Sequence, residues 1–249
     1  MREGAGGART GAMPSMREGA GGARTGASPS MRGLFVTGTD TEVGKSVVAA
    51  SICAALAARG ERVAAFKPVV TGLDEEAGEF GRDHELLASA ANAGQSPEDV
   101  APHRFGPPVS PHLAAELAGV TIEPAELVAA ARAHELVVCE GVGGLLVPLT
   151  PGYLVRDLAV DLGLPVVVAA RPGLGTINHS LLTIEAARAG GLGVAAVVMT
   201  PWPDDPTPME HSNRATVERL GRVPVCGLPA TSPDRLAEAG ASLPLDDWL

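Results

Sequence analysis

A chain of 249 residues with 45% hydrophobic content can build one α/β domain with a full core and does not require a second. The formal charge is −10 and becomes −12 over residues 31–249, because the first thirty residues hold four arginines and two glutamates. That balance excludes the positive surface of phosphate-backbone binders, so no nucleic-acid partner is expected, and no run reaches the roughly 18 apolar residues of a membrane span.

Residues 1–30 differ in kind from the rest: Met1–Ala12 recurs as Met16–Ala27, with almost no large apolar side chain to bury. They are expected to be a disordered duplicated leader or a start-site artefact, followed by a single domain over 31–249. The first strand is expected at 34–37 and an Ala-rich helix at 45–59, with Gly38-Thr39-Asp40-Thr41-Glu42-Val43-Gly44-Lys45-Ser46 between them. A Gly-Lys-Ser on a strand-to-helix turn offers phosphates what they need: backbone N–H groups, a lysine for the outer phosphates and a hydroxyl for Mg²⁺. Five residues separate Gly38 from Gly44, one more than the general motif has.

Lys45 and Lys67 are the only lysines, against seventeen arginines. A lysine is a compact point charge that can follow a moving phosphate, which suits it to chemistry rather than to surface duty. Lys67 ends a second strand at 63–67 and precedes Thr71-Gly72; read alone it is a strand-end surface lysine. Asp83 heads a helix at 83–92, where its plain role would be an N-cap. Helices follow at 111–118 and 124–133, then a strand at 136–139 that ends in Glu140 and runs into Gly141-Val142-Gly143-Gly144. An apolar strand ending in one carboxylate is where nucleotide-binding sheets present a Mg²⁺ ligand, and Ser46, Asp83 and Glu140 together make an oxygen set for that ion. A helix at 154–162, a strand at 165–169, a helix at 175–190, a strand at 194–199, a helix at 210–220 and a strand at 223–227 complete the pattern. This alternation predicts a mostly parallel sheet flanked by helices on both faces, with its site at the C-terminal ends of the strands.

Cys53, Cys139 and Cys226 are odd in number and lie in apolar runs, which predicts small core residues of a cytoplasmic protein, not disulfides or ligands. The six histidines show no metal spacing, and His84, His112 and His179 read as structural residues.

The loop from Gly38 to Ser46, Lys67-Pro68-Val69 with Thr71-Gly72, Asp83, Glu140 to Gly144, and Leu174-Gly175-Thr176-Ile177-Asn178-His179 together resemble the dethiobiotin synthetase family of P-loop NTPases, over about Met31 to Pro229. The five-residue gap is the normal form in that family. The resemblance implies a cytoplasmic, ATP- and Mg²⁺-dependent ring closure in biotin synthesis. CO₂ (from bicarbonate) adds to 7,8-diaminononanoate as a carbamate, the carbamate is phosphorylated, and the neighbouring amine displaces phosphate. Carried over residue by residue, it implies catalytic roles for Lys45, Lys67 and Thr41. ATP, or another nucleoside triphosphate, would be held by Glu42, Val43, Gly44, Lys45, Ser46, Val47, Asp83, Glu140, Gly141, Val142, Gly143, Thr200, Pro201, Pro229, Ala230 and Thr231. The substrate would meet Thr71, Ser110, Pro111, Gly143 and Gly144, with Gly175, Thr176, Ile177 and Asn178 supplied across the twofold axis of a homodimer with shared sites. The metal ligands would be Ser46, Asp83 and Glu140.

Two other classes share the loop. A ParA/MinD-type switch ATPase carries a further lysine early in the loop, where Thr39 and Asp40 stand here, and often a basic surface. A cobyrinate-amidating enzyme needs a glutaminase domain, for which no room remains after about residue 230. In one respect the chain departs from the family: members that read adenine usually carry an asparagine just past the fifth strand, where Thr200-Pro201-Trp202-Pro203 stands here.

Overall fold

In the computed structural model, which describes Met1 and residues 31–249, the chain forms β1 (Arg32–Gly38), α1 (Lys45–Ala58), β2 (Ala64–Phe66), β3 (Val69–Val70), α2 (Asp83–Ala90), α3 (Pro97–Val100), β4 (His103–Arg104), α4 (Pro111–Ala118), α5 (Pro124–Arg132), β5 (Leu136–Gly144), β6 (Pro148–Thr150), β7 (Tyr153–Leu154), α6 (Val155–Leu162), β8 (Val166–Ala170), α7 (Thr176–Ala189), β9 (Val194–Trp202), α8 (Pro208–Gly221), β10 (Val225–Pro229) and α9 (Leu236–Gly240). The expectation for residues 2–30 lies outside the described residues.

Six strands form one sheet in the order β10-β9-β8-β1-β5-β2, and every neighbouring pair is parallel. The apolar runs of the central strands are buried on both faces, so the two-residue period divides them between two cores. Phe35, Val137, Cys139, Val168 and Val197 face one way, against Leu127 of α5, Leu158 of α6, Ile184 of α7 and Val217 of α8. Leu34, Val36, Val138, Val167 and Val198 face the other, against Ile52 and Leu56 of α1, Leu87 of α2, and Leu236, Leu245 and Trp248 near the C-terminus. Each fully buried side chain of this size contributes about 1.5–3 kcal/mol. The expected α/β architecture, with helices on both faces, is therefore the observed one.

Helix starts follow local chemistry. Pro111, Pro124 and Pro208 open α4, α5 and α8, where a missing N–H is harmless, and Thr207 with Glu210 forms a capping box on α8. Gly44 and Gly175 precede α1 and α7 at φ 88 and 93, in the left-handed region that glycine alone enters without strain. β5 and β9 run farther than the expected 136–139 and 194–199, because their ends pair with neighbours at Gly38↔Gly144 and Pro229↔Trp202. The parallel pair β3–β4, the hairpin β6–β7, α3 and α9 have no counterpart among the expected elements; all are five residues or fewer. α9 lies directly on α1: a Cβ on Gly240 would fall 2.0 Å from the Ser51 carbonyl oxygen. All three cysteines are free thiols; Cys53 and Cys139 are buried in the core as expected, whereas Cys226 is only half-buried. No helix among the described residues is long and apolar enough to cross a membrane.

Candidate active site

The C-terminal ends of β1, β2 and β5, with the N-termini of α1 and α2, enclose a cleft of about 450 Å³. It brings together Thr41, Glu42, Gly44, Lys45, Ser46, Val47, Lys67, Thr71, Asp83, Glu140, Val142 and Gly143. At its floor, Glu140 is fully buried and its Oε1 accepts from Ser46 Oγ at 2.9 Å and from Lys67 Nζ at 2.5 Å. Lys67 Nζ also pairs with Asp83 Oδ2 at 2.8 Å, while Glu140 Oε2 is buried with no partner. Lys67 is thus a buried cation held between two carboxylates, not a surface residue.

The electrostatics follow from burial and pairing. Burial works to lower the pKa of Lys67, but Asp83 and Glu140 outweigh it and hold the ammonium above the ordinary lysine value. The charge of Lys67 holds Asp83 down at about 2, whereas burial pushes Glu140 up against the pull of the same lysine. Lys45, whose Nζ donates to the Asp40 carbonyl at 2.7 Å, is lowered by burial to about 8, with Glu140 opposing. Among the described residues no group of three or more His, Cys, Asp or Glu side chains is placed to hold a metal ion. The available donor set is one hydroxyl and two carboxylates, which leaves coordination to be completed by ligand oxygens.

A second cleft of about 620 Å³ adjoins the first and shares Glu42, Gly44, Val47, Glu79 and Phe80 with it. It gathers Val43 of the loop before α1 with Thr200, Pro201, Pro229, Ala230 and Thr231 from the ends of β9 and β10. Thr200 is buried, and its Cγ2 lies 2.5 Å from where a Cβ on Gly44 would stand, so the glycine lets β9 approach the loop.

Other expected residues lie elsewhere. Gly141 lies within β5 against α6, where a Cβ would lie 2.8 Å from Val155 Cγ1, and lines neither cleft. Ser110 is the N-cap of α4 and Pro111 its first residue, outside both clefts. Gly144 lines a third depression, of about 410 Å³, with Leu146, His179 and Leu182. Thr176 is buried and borders a smaller hollow beside Thr39 and Asp40; Gly175, Ile177 and Asn178 line none of these clefts, and Asn178 is exposed at the start of α7.

Arg171, Glu75, Glu79 and Phe80 line these clefts although no motif marks them. Arg171 follows β8 directly and donates to the Glu42 carbonyl at 2.8 and 3.3 Å. Glu42 sits at φ 56, an unfavourable conformation for a residue with a Cβ, and this clamp holds it there. The available signal was position at a strand's C-terminal end, which applied equally to several residues.

A family model described as an AAA domain matches residues 32–231. The ATP-dependent dethiobiotin synthetase of Anaeromyxobacter dehalogenans is 45% identical over 203 residues, covering 80% of this chain and 90% of that protein. The enzyme of the same name from Brucella ovis is 41% identical over 218 residues, covering 86% and 96%. That from Bacillus subtilis is 38% identical over 201 residues, covering 79% and 86%. A solved ParA family ATPase from Chlorobium tepidum covers 86% of this chain and 90% of its own at a TM-score of 0.49 and 11% identity, too distant a likeness to bear on function. By the span and level of identity it shares with these relatives, the chain belongs to the dethiobiotin synthetase family.

Proposed function

We propose that this protein closes 7,8-diaminononanoate and CO₂ into dethiobiotin with ATP and Mg²⁺, releasing ADP and phosphate. The observation that carries this reading is the buried Lys67 ammonium beside Ser46, Asp83 and Glu140 at the mouth of a phosphate-binding loop. A carbamate oxygen and a γ-phosphate are both anionic, and fixed cations at their meeting point are the main lever in phosphoryl transfer. Lys67 lines the cleft with Thr71, and Lys45, whose Nζ donates to the Asp40 carbonyl, would turn to a phosphate oxygen from the loop. Thr41 and Thr71 offer hydroxyls to the carbamate and the amines, and Gly143, at φ 62, lets the backbone approach the substrate chain. The donor set of Ser46, Asp83 and Glu140, including the unpartnered Glu140 Oε2, fits Mg²⁺, which when bound supplies Lewis-acid neutralisation of phosphate oxygens. The test is phosphate release that requires both diaminononanoate and bicarbonate, with dethiobiotin identified by mass. Release independent of both would instead favour a switch ATPase.

The active unit in this reading is a homodimer. Leu174, Leu182 and Leu146 are 93%, 57% and 53% exposed beside the start of α7, apolar surface that a second copy would cover. Gly175 to Asn178 would then serve the partner's site, the helix N-terminus meeting the substrate carboxylate. Mixing an inactive Lys45→Ala chain with an inactive Asn178→Ala chain should restore part of the activity, because one hybrid site is intact. An active monomer in light scattering rejects the shared site.

Base selection should be broad. The second cleft presents Thr200, Pro201, Pro229, Ala230 and Thr231 with no asparagine, and the nearby Asn213 is committed to the carbonyls of Pro172 and Gly173 at 2.9 and 3.2 Å. A threonine hydroxyl cannot make the paired contact an amide makes with adenine, and Pro201 has no N–H to offer. Losing such a contact relaxes discrimination by about 1–3 kcal/mol, roughly ten- to a hundredfold. CTP or another triphosphate is therefore expected to support turnover comparably to ATP or better. The values of kcat/KM for ATP, CTP, GTP and UTP decide this, and an ATP preference above about a hundredfold over each of the others overturns it.

A further inference from the structure

Between Thr71 and Asp83 the chain crosses the cleft as an acidic loop, and its conformation is fixed from two sides. The backbone N–H groups of Gly72, Leu73 and Asp74 donate to the carbonyls of Pro107, Phe105 and Gly106 at 3.1, 3.2 and 2.9 Å. From the other side the Arg82 guanidinium donates to the carbonyls of Gly72 and Leu73 at 3.2 and 3.0 Å, and to that of Glu75. The result places the Glu75 carboxylate over Gly72, its Oε2 3.3 Å from where a Cβ on that glycine would stand, facing the cleft with Thr71 and Lys67. Gly72 is at φ 81 and has no side chain to displace that oxygen.

Five carboxylates line the first cleft, and they are not equivalent. Asp83 and Glu140 are both paired with Lys67. Glu42 and Glu79 border both clefts and so stand on the nucleotide side. Glu75 lines the first cleft alone, and its side chain has no hydrogen-bond or ion-pair partner among the described residues.

A vicinal diamine supplies the complementary charge. Two adjacent ammonium groups repel, so near neutral pH such a substrate carries one proton on the pair: one amine is a nucleophile and its neighbour is a cation. We infer that Glu75 is a specificity-determining residue that binds the ammonium of the substrate's diamine and so orients the neutral amine toward the Lys67 side of the cleft. This rests on the proposed function, since it names how that same site selects its substrate. Arg82 is the positioning residue that holds Glu75 in place.

The experiment is steady-state kinetics of the full chain with diaminononanoate and nucleotide varied separately. Glu75→Gln should raise KM for diaminononanoate about tenfold, the scale of one charge-assisted hydrogen bond, with nucleotide KM within about twofold and kcat within about threefold of the parent. Glu75→Asp should recover part of the loss, and Glu76→Gln, two residues before Gly78 and outside both clefts, should behave as the parent. A rise below about threefold in Glu75→Gln, or an equal rise in nucleotide KM, overturns the inference while the functional reading stands. A parent protein without diaminononanoate-dependent phosphate release overturns both.

Discussion

Lys67→Arg is expected to lower turnover by about two orders of magnitude or more, although the charge is conserved, because it removes a preorganised donor from the point of phosphoryl transfer. Lys67 Nζ is a single point that meets Glu140 Oε1 and Asp83 Oδ2 at 2.5 and 2.8 Å in a position buried to within a few per cent. A guanidinium is planar and larger, and its donors diverge from one another, so it cannot place one donor at that point without moving the two carboxylates. Nucleotide affinity, assigned in the proposed function to the loop from Glu42 to Ser46, should change far less. Turnover within about threefold of the parent would take Lys67 out of the mechanism.

Stability should respond to the same cluster. Glu140→Leu leaves the buried Lys67 ammonium with Asp83 alone, and Asp83 is 43% exposed at its side chain, a poorer partner than the fully buried glutamate. Breaking a buried pair costs about 3–5 kcal/mol, much of it the cost of the stranded charge. Lys67→Met alone strands the glutamate, which burial already disfavours as an anion. The double variant Lys67→Met with Glu140→Leu strands neither and should be less destabilised than the sum of the singles by more than about 1 kcal/mol. Urea unfolding of all four chains measures the coupling, and strict additivity would mean that the two residues are not an energetic unit. The double variant should nevertheless be inactive, which separates the stability of the cluster from its chemistry.

What the sequence determined by itself is local or periodic. The strand-turn-helix around Gly44-Lys45-Ser46 is written in adjacent residues, since a glycine able to sit at φ 88 and an Ala-rich helix behind it leave little alternative. The alternation of β-branched runs with helical stretches was enough to imply a parallel sheet, and strand ends at Lys67 and Glu140 placed both residues on the active edge. Only the tertiary structure decided which of those edges meet. Lys67 and Glu140 are 73 residues apart and Ser46 and Glu140 are 94 apart; they touch because β5 lies between β1 and β2 in the sheet. A two-residue period assigns a side chain to a face but says nothing about which strand is its neighbour. The same holds for the second cleft, lined by residues from the ends of β9 and β10 together with Phe80, and for the Arg82 contacts that fix the loop at Glu75. It holds too for α9, five residues long, which becomes part of the core only because Gly240 can lie against Ser51 of α1. Such short segments have too few residues to show a period, and their conformation is set by the surface they pack on rather than by their own propensity.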